Sequence, residues 1–262
     1  MDFESLERVA PDYADDLSDR MDDLLCEVDM SRVPDLGRGI VKHLQAKIGT
    51  TPPDLAARAT GYYHPSALAM DPFCPFDVMQ SRMSIPGTYQ KDPAGAIRLD
   101  IGSGMHEIVQ KYLFELYGAT GLAEETLVYE PLHLKGHCDF ILKLNGFEAI
   151  VEIKTKDTTA GLTKPVPWHV RQCHIYQFIR KAPVGIVLYI DMTTKALISF
   201  PHTFRFNVWQ EVVDRAVSME AARLDGRMAR PAPNRWCPNC SSNQVCPSYQ
   251  SRTTRFLEVD DG

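Results

Sequence analysis

The chain has 262 residues, 44% of them hydrophobic, which suits one large or two small domains with an ordinary core. No run approaches the roughly 18 apolar residues of a membrane span, and the acidic start is unlike a signal peptide, so the sequence predicts an intracellular, cytoplasmic protein with no membrane partner. A formal net charge of −6 argues against a polyanion partner until the charge is located: residues 1–30 hold eleven acidic residues against Arg8 and Arg20, a net of −9, which leaves the rest of the chain at +3.

Within that acidic stretch Leu17, Met21, Leu24, Leu25 and Val28 recur at the spacing of one helical face, which predicts an amphipathic helix rather than a loose tail. A second helix is predicted from Leu36 to Ile48, stopped by Gly49 and the Thr-Thr-Pro-Pro that follows. Residues 1–60 are therefore expected to form an acidic helical extension, either a packing cap or a mimic of DNA. From Tyr62 a helical pattern is broken by prolines around Cys74, and a loop rich in Gly, Pro and Lys follows. Met105, Ile108, Val109, Tyr112, Leu113 and Leu116 then form the core stripe of a helix, with His106 beside it. The lead-in Gly102-Ser103-Gly104 is expected to put His106 in the first turn, where close approach to another element is easy.

Leu127 to Leu134 alternates as a strand, and His137 to Lys154 reads as a β-hairpin. Asn145-Gly146 favours a two-residue turn, because both central residues of such a turn need positive φ. The turn sets Leu144 opposite Phe147, Lys143 opposite Glu148 and Phe140 opposite Val151. Continued, it sets Cys138 against Ile153 on an apolar face, and Asp139 against Glu152 and His137 against Lys154 on the other. Two carboxylates about 5 Å apart at Cβ repel each other unless a cation lies between them. Mg²⁺ or Mn²⁺ suits these hard oxygen ligands, and Lys154 would stand beside the ion. A solvated charged face on a surface hairpin is the alternative.

Pro167 to Lys181 is a predicted helix on which His169, Gln172, Tyr176 and Arg180 form a polar stripe, expected to be solvated. Strands are predicted at Gly185 to Asp191 and Ala196 to Phe206, and a last helix from Val208 to Arg223. Seven cysteines in a chain without an export signal favour metal binding or free thiols over a disulfide framework. Cys237, Cys240 and Cys246 form a tight triple that needs one more ligand, and Cys74 lies far upstream between prolines. On spacing alone four thiolates suit either zinc or an iron-sulfur cluster. Cys26, Cys138 and Cys173 read as buried thiols.

Asp139, Glu152, Ile153 and Lys154 match the D…ExK core of the PD-(D/E)xK nucleases, with Cys138 in place of the proline of the motif's name. With His106 upstream and Gln172-Cys173-His174-Ile175-Tyr176 downstream as a Q-x-x-x-Y motif, residues 74–246 resemble the RecB-type branch of that superfamily. The one-plus-three cysteines resemble its iron-sulfur members, among them the AddB nuclease domain and the free-standing exonuclease of CRISPR adaptation modules. No G-x-x-x-x-G-K-S/T helicase motif accompanies them. The resemblance implies an α/β, restriction-endonuclease-like core, a mixed central β-sheet flanked by helices, over residues 61–262. It implies a four-iron, four-sulfur (4Fe-4S) site at Cys74, Cys237, Cys240 and Cys246 in a C-terminal cysteine segment, with zinc as the alternative. It further implies a Mg²⁺- or Mn²⁺-dependent deoxyribonuclease, an exonuclease on single-stranded DNA ends. In it His106, Asp139, Glu152 and the Ile153 carbonyl would hold the metal, Lys154 would orient the attacking water, and Gln172 and Tyr176 would position the strand. Arg171, Arg180 and Lys181 are expected to follow the phosphate backbone. A nucleic-acid-binding module with a vestigial site, and an endonuclease, are the competing readings.

Overall fold

A turn that requires positive φ dictates a hairpin register, and the register dictates which side chains share a face. In the structure, a computed structural model that describes residues 35–40, 61–83, 93–118, 121–144, 146–240 and 242–250, Gly146 has φ +93°. On either side of it β2 (Leu134–Leu144) and β3 (Phe147–Lys156) pair antiparallel, with Leu144 opposite Phe147, Lys143 opposite Glu148 and Phe140 opposite Val151. The expected register holds over these rungs.

β1 (Gly121–Tyr129) precedes them, antiparallel to β2. It lies upstream of the stretch predicted from alternation, because Pro131 cannot donate to a ladder and the chain turns through a 3₁₀ segment at Glu130–Leu132. β4 (Val184–Asp191) runs parallel to β3, and β5 (Leu197–Thr203) returns antiparallel beside it. The order β1-β2-β3-β4-β5 makes a mixed five-stranded sheet. A parallel neighbour needs a crossover, supplied here by helix α4 (Pro167–Arg180), which begins after Val166 with Pro at its first position and ends where Lys181 takes φ +56°. Upstream lie α1 (Pro65–Ala69), α2 (Pro75–Arg82) and the long α3 (Pro93–Tyr117); α5 (Phe206–Leu224) closes the helical set.

Helices cover both faces of the sheet. Val109, Tyr112 and Leu113 of α3 pack on Phe140, Leu142, Val151, Ile153 and Ile186, while Val170, Cys173 and Tyr176 of α4 pack on Ile141, Ile150, Val187 and Tyr189. Alternate strand residues therefore serve opposite layers, and β4 is buried along its whole length, as a central parallel strand must be. Each fully buried Leu, Ile or Val contributes about 1.5–3 kcal/mol relative to exposure.

Residues 35–40 are helical, and Ile40 is buried in the α3-side core. The helix predicted over 17–28, with Cys26, and the rest of the one predicted to Ile48 lie outside the described residues. The segment carrying Cys74 is held by side chains rather than by sheet. Tyr63 donates to Glu220 of α5 at 2.7 Å, Arg82 ion-pairs with the same buried carboxylate and lies 4.5 Å over the Tyr63 ring, and Arg215 donates to the Leu68 and Met70 carbonyls. Among the described residues no helix is long and apolar enough to cross a membrane.

Candidate active site

The β2–β3 ladder stops at the rung Phe140–Val151, one residue short of the carboxylate pair. Asp139 and Glu152 do not form the facing rung that the register predicts. Instead Asp139 turns its Oδ2 onto the Ile153 backbone N–H at 2.6 Å. Like charges disfavour a closed rung, and the freed amide supplies a donor for one of them. The strand's alternation shifts at the same point. Cys138 packs with Ile141, Cys173 and Tyr176 on the α4 side, not with Phe140 and Ile153 as expected. The β1 residue facing Asp139 is the reason: Glu124 has φ +51° and falls out of the β1–β2 ladder, so β2 is unpaired on both sides there.

Around this opening the charges partly satisfy one another. His106 Nδ1 stands 3.7 Å from Asp139 Oδ1, an ion-pair rather than a hydrogen-bond distance, and Lys154 Nζ stands 2.6 Å from Glu152 Oε1. Glu152 is fully buried, the Lys154 ammonium is the cation against its Oε1, and its Oε2 has no hydrogen-bond donor. Burial first, and then the Asp139 charge, push Glu152 up to about 7 against the pull of Lys154. Burial also pushes Asp139 up, but His106, Lys154 and the Ile153 N–H outweigh it and hold Asp139 below the usual carboxylate range. Lys154 is raised, because the two carboxylates outweigh its burial.

His106 lies in mid-helix, not in a first turn, because α3 starts at Pro93. Gly102 nonetheless makes the close approach expected of it: a Cβ there would meet Thr155 Oγ1 at 3.2 Å, so α3 abuts the end of β3 just past Lys154. One turn beyond His106, Gln110 donates to Glu124 Oε1 at 2.5 Å and to the Asp139 carbonyl at 2.9 Å. Sequence reasoning missed both residues. Gln110 was findable as the i+4 neighbour of His106, whereas the backbone turn at Glu124 leaves no sequence signal.

Gln172 and Tyr176 of α4 are buried, so the stripe they belong to is not a solvated face. They hydrogen-bond to each other, and burial, then the Glu152 charge, push the Tyr176 phenol well above its ordinary range. The Tyr176 hydroxyl sits over Gly136 of β2, where a Cβ would meet it at 2.9 Å. Arg171 is engaged by Glu211 and the Ala69 carbonyl, and Arg180 by a two-pronged pair with Glu148, which leaves neither as the free backbone-tracking cation expected.

The cysteines make a second centre. Cys74 precedes α2, Cys237 opens a 3₁₀ turn, and both line a cavity of about 810 Å³ with Cys240 and Cys246. Backbone N–H groups of Ala232, Asn234 and Ser242 point at the sulfurs of Cys74, Cys237 and Cys240 at 3.5, 3.1 and 3.4 Å. Asp77 accepts from Ser242 Oγ at 2.6 Å and from Cys240 Sγ at 3.2 Å. Burial, with Asp77 adding to it, pushes the Cys240 thiol up to about 12. Cys138 and Cys173 are buried elsewhere as free thiols, as expected. Among the described residues no three His, Cys, Asp or Glu side chains are gathered closely enough to share one metal ion.

Residues 102–247, more than half of the chain, match the PD-(D/E)XK nuclease superfamily, and the chain belongs to that superfamily. Its mixed sheet between two helical layers is the restriction-endonuclease-like α/β arrangement. A solved structure described as that of SSO0001 is similar at 18% identity and a TM-score of 0.49, over 79% of this chain and 94% of that one. An alkaline exonuclease, LHK-Exo from Laribacter hongkongensis, is similar at 15% identity and a TM-score of 0.47, over 63% of this chain and 89% of that one. Its complex with dAMP gives 16% identity and a TM-score of 0.46 over the same shares. No curated protein sequence matches the chain.

Proposed function

We propose that this chain is a divalent-metal-dependent deoxyribonuclease of the RecB-type branch that digests single-stranded DNA from its ends. The observation that carries the reading is the opening between β2 and β3. There a fully buried carboxylate, Glu152, keeps an oxygen without a donor beside Asp139, His106 and Lys154. Hard carboxylate and carbonyl oxygens suit Mg²⁺ or Mn²⁺, so Asp139, Glu152 and the Ile153 carbonyl, with His106 beside them, are the residues proposed to hold it. A bound divalent ion supplies Lewis acidity and a water acidic enough to attack near neutral pH. Lys154, released from Glu152, would orient the attacking water and meet the charge developing on the phosphate. Water oxygen bonds to phosphorus as the bond to the 3′ oxygen breaks, which gives 5′-phosphate and 3′-hydroxyl products. Gln172 and Tyr176, locked to each other over Gly136, position the strand rather than take part in proton transfer.

In the same reading Cys74, Cys237, Cys240 and Cys246 hold a 4Fe-4S cluster. Four thiols lining one cavity and three backbone N–H groups aimed at sulfur support this. The cluster would close a nuclease domain over residues 61–262, with residues 1–60 as an appended extension.

The deciding experiment incubates anaerobically purified protein with labelled linear and circular single strands in Mg²⁺ or Mn²⁺, with and without EDTA. Short products from the linear strand alone are expected. Equal attack on the circle would replace the exonuclease with an endonuclease, and no cleavage of either would leave a nucleic-acid-binding module.

A further inference from the structure

The cysteine cavity and the carboxylate opening are joined by a run of aromatic rings that the proposed chemistry does not use. Tyr189 of β4 is the strand neighbour of Lys154 and is fully buried. Its hydroxyl accepts the Val166 N–H at 2.9 Å and lies 2.8 Å from His169 Nδ1, with the two rings 5.5 Å apart. The next residue, Trp168, sets its indole edge-on to the His169 ring at 5.7 Å and also lines the cysteine cavity. Trp236 lines the same cavity, 49% exposed although it is a large apolar ring, with the Arg235 guanidinium 5.0 Å over one face.

The charge on the segment leading to Trp236 has one sign. From Gly226 to Trp236 the chain carries Arg227, Arg230 and Arg235 and no carboxylate. Arg227 pairs with Asp225, whereas no ion pair to Arg230 or Arg235 occurs among the described residues. The acidic side chain lining the cavity, Asp77, is taken up by Ser242 and Cys240. An exposed indole beside uncompensated guanidinium groups matches one chemistry of partner: alternating anionic phosphates and flat bases.

Resting on the nuclease reading, we propose that Trp168 and Trp236 form a stacking platform for the bases of a single nucleic-acid strand held between the Lys154 centre and the mouth of the cysteine cavity. Tyr189 and the His169 ring support Trp168 from below, and Arg230 and Arg235 meet the phosphates. Stacking requires bases that are not already paired, so the platform selects single strands and gains nothing from a closed duplex. The strand must be long enough to reach from Lys154 to Trp236 before the second ring contributes.

The test measures equilibrium binding rather than cleavage. Intact full-length holoprotein, with Ca²⁺ in place of Mg²⁺, is titrated into fluorescent single strands of about 4 to about 16 nucleotides and into a blunt duplex. For wild type, affinity should rise with length until the strand spans both rings. Trp236→Ala should lose about tenfold in affinity for the long strand only, flattening the length dependence, and Trp236→Phe should restore it. Unchanged long-strand affinity in Trp236→Ala overturns the platform. So does an equal loss for short strands or for duplex, which would mark a structural or purely electrostatic role. Absence of cleavage by wild type with the length dependence intact would count against the nuclease reading and leave the platform standing.

Discussion

The carboxylate centre is built on strands and the cysteine centre on loops, and the two differ in how complete they are. At the first, each charge already has a protein partner: Asp139 takes the Ile153 N–H, and Lys154 stands against Glu152. At the second, three backbone N–H groups point at sulfur around a cavity of about 810 Å³, and Asp77 adds a carboxylate to a site of thiols. A strand pair held by its neighbours can carry a strained, self-compensating site. A loop cluster has no strand ladder and is held by its side-chain and backbone contacts alone. The first centre should therefore be lost by point changes that leave the fold standing, and the second by changes that take the fold with it.

The largest expected effect breaks the first half of that contrast. Glu152→Ala and Lys154→Ala should each lower cleavage by about 10³-fold or more. Removal of Glu152 takes away a buried carboxylate whose charge both burial and Asp139 disfavour, and Lys154 keeps the Asp139 charge as a partner, so the melting temperature should stay near wild type. Asp139→Ala should be equally inactive but also less stable by about 1–3 kcal/mol, because the Ile153 N–H loses its acceptor. Retained cleavage by Glu152→Ala would remove the site assignment. Thermal melts separate the two carboxylates.

Next in size, Cys240→Ala or Cys74→Ala should abolish iron and acid-labile sulfide together and destabilise the protein by several kcal/mol, as on the order expected when metal binding is coupled to folding. Stoichiometric zinc without sulfide in the wild type would replace the cluster.

A third region sharpens the comparison because three of its buried polar atoms have no partner. His174 and His202 stack at 4.9 Å, and both Nε2 atoms are shut away unbonded, as is Gln177 Oε1. Burial lowers His174 to about 3, with His202 and Arg205 adding to it, and burial lowers His202 to about 4 against the pull of the Phe200 carbonyl. Both folded values lie below the ordinary histidine range near 6.5, so the unfolded chain binds more protons in the interval between. Stability is then full above about pH 7 and is lost as pH falls toward 3, by about 2 kcal/mol for each histidine at pH 5. Melts of wild type and His202→Phe at pH 7 and pH 5 check this: the variant should lose less on acidification.

The smallest effect concerns fit. Gly136→Ala would set a methyl 2.7 Å from Pro65 Cδ and 2.9 Å from the Tyr176 hydroxyl. Displacing that hydroxyl should reduce cleavage by about tenfold with little loss of metal affinity, which Mn²⁺ calorimetry would show.

What the sequence revealed follows the range of each signal. Asn145-Gly146 set the register because turn chemistry is local, and five rungs follow from it. The D…ExK residues, His106 and the Q-x-x-x-Y pair were legible as types at spacings, and the fold brings His106, Asp139, Glu152 and Lys154 to one opening, with Tyr176 near enough to feel both carboxylates. What escaped depends on backbone that no residue type announces. The shift of Cys138 to the α4 layer traces to the positive φ of Glu124, an acidic residue in a conformation that glycine usually takes. The burial of Gln172 and Tyr176 escaped because a polar helical stripe looks the same whether it faces water or a buried carboxylate. Arg180 was read as a DNA contact because Glu148, which holds it, lies 32 residues away on another element.

The hairpin's turn and its functional end point in opposite directions. Gly146 sits at one tip, and Asp139 lies five residues of strand from Leu144, about 17 Å at the usual rise. The Lys143–Glu148 rung, clamped by Arg180, lies between them and isolates one end from the other. The tip is thus a natural attachment point: a fluorophore or an inserted peptide placed there would report on the molecule, or tether it, without entering the space a nucleic-acid strand would need.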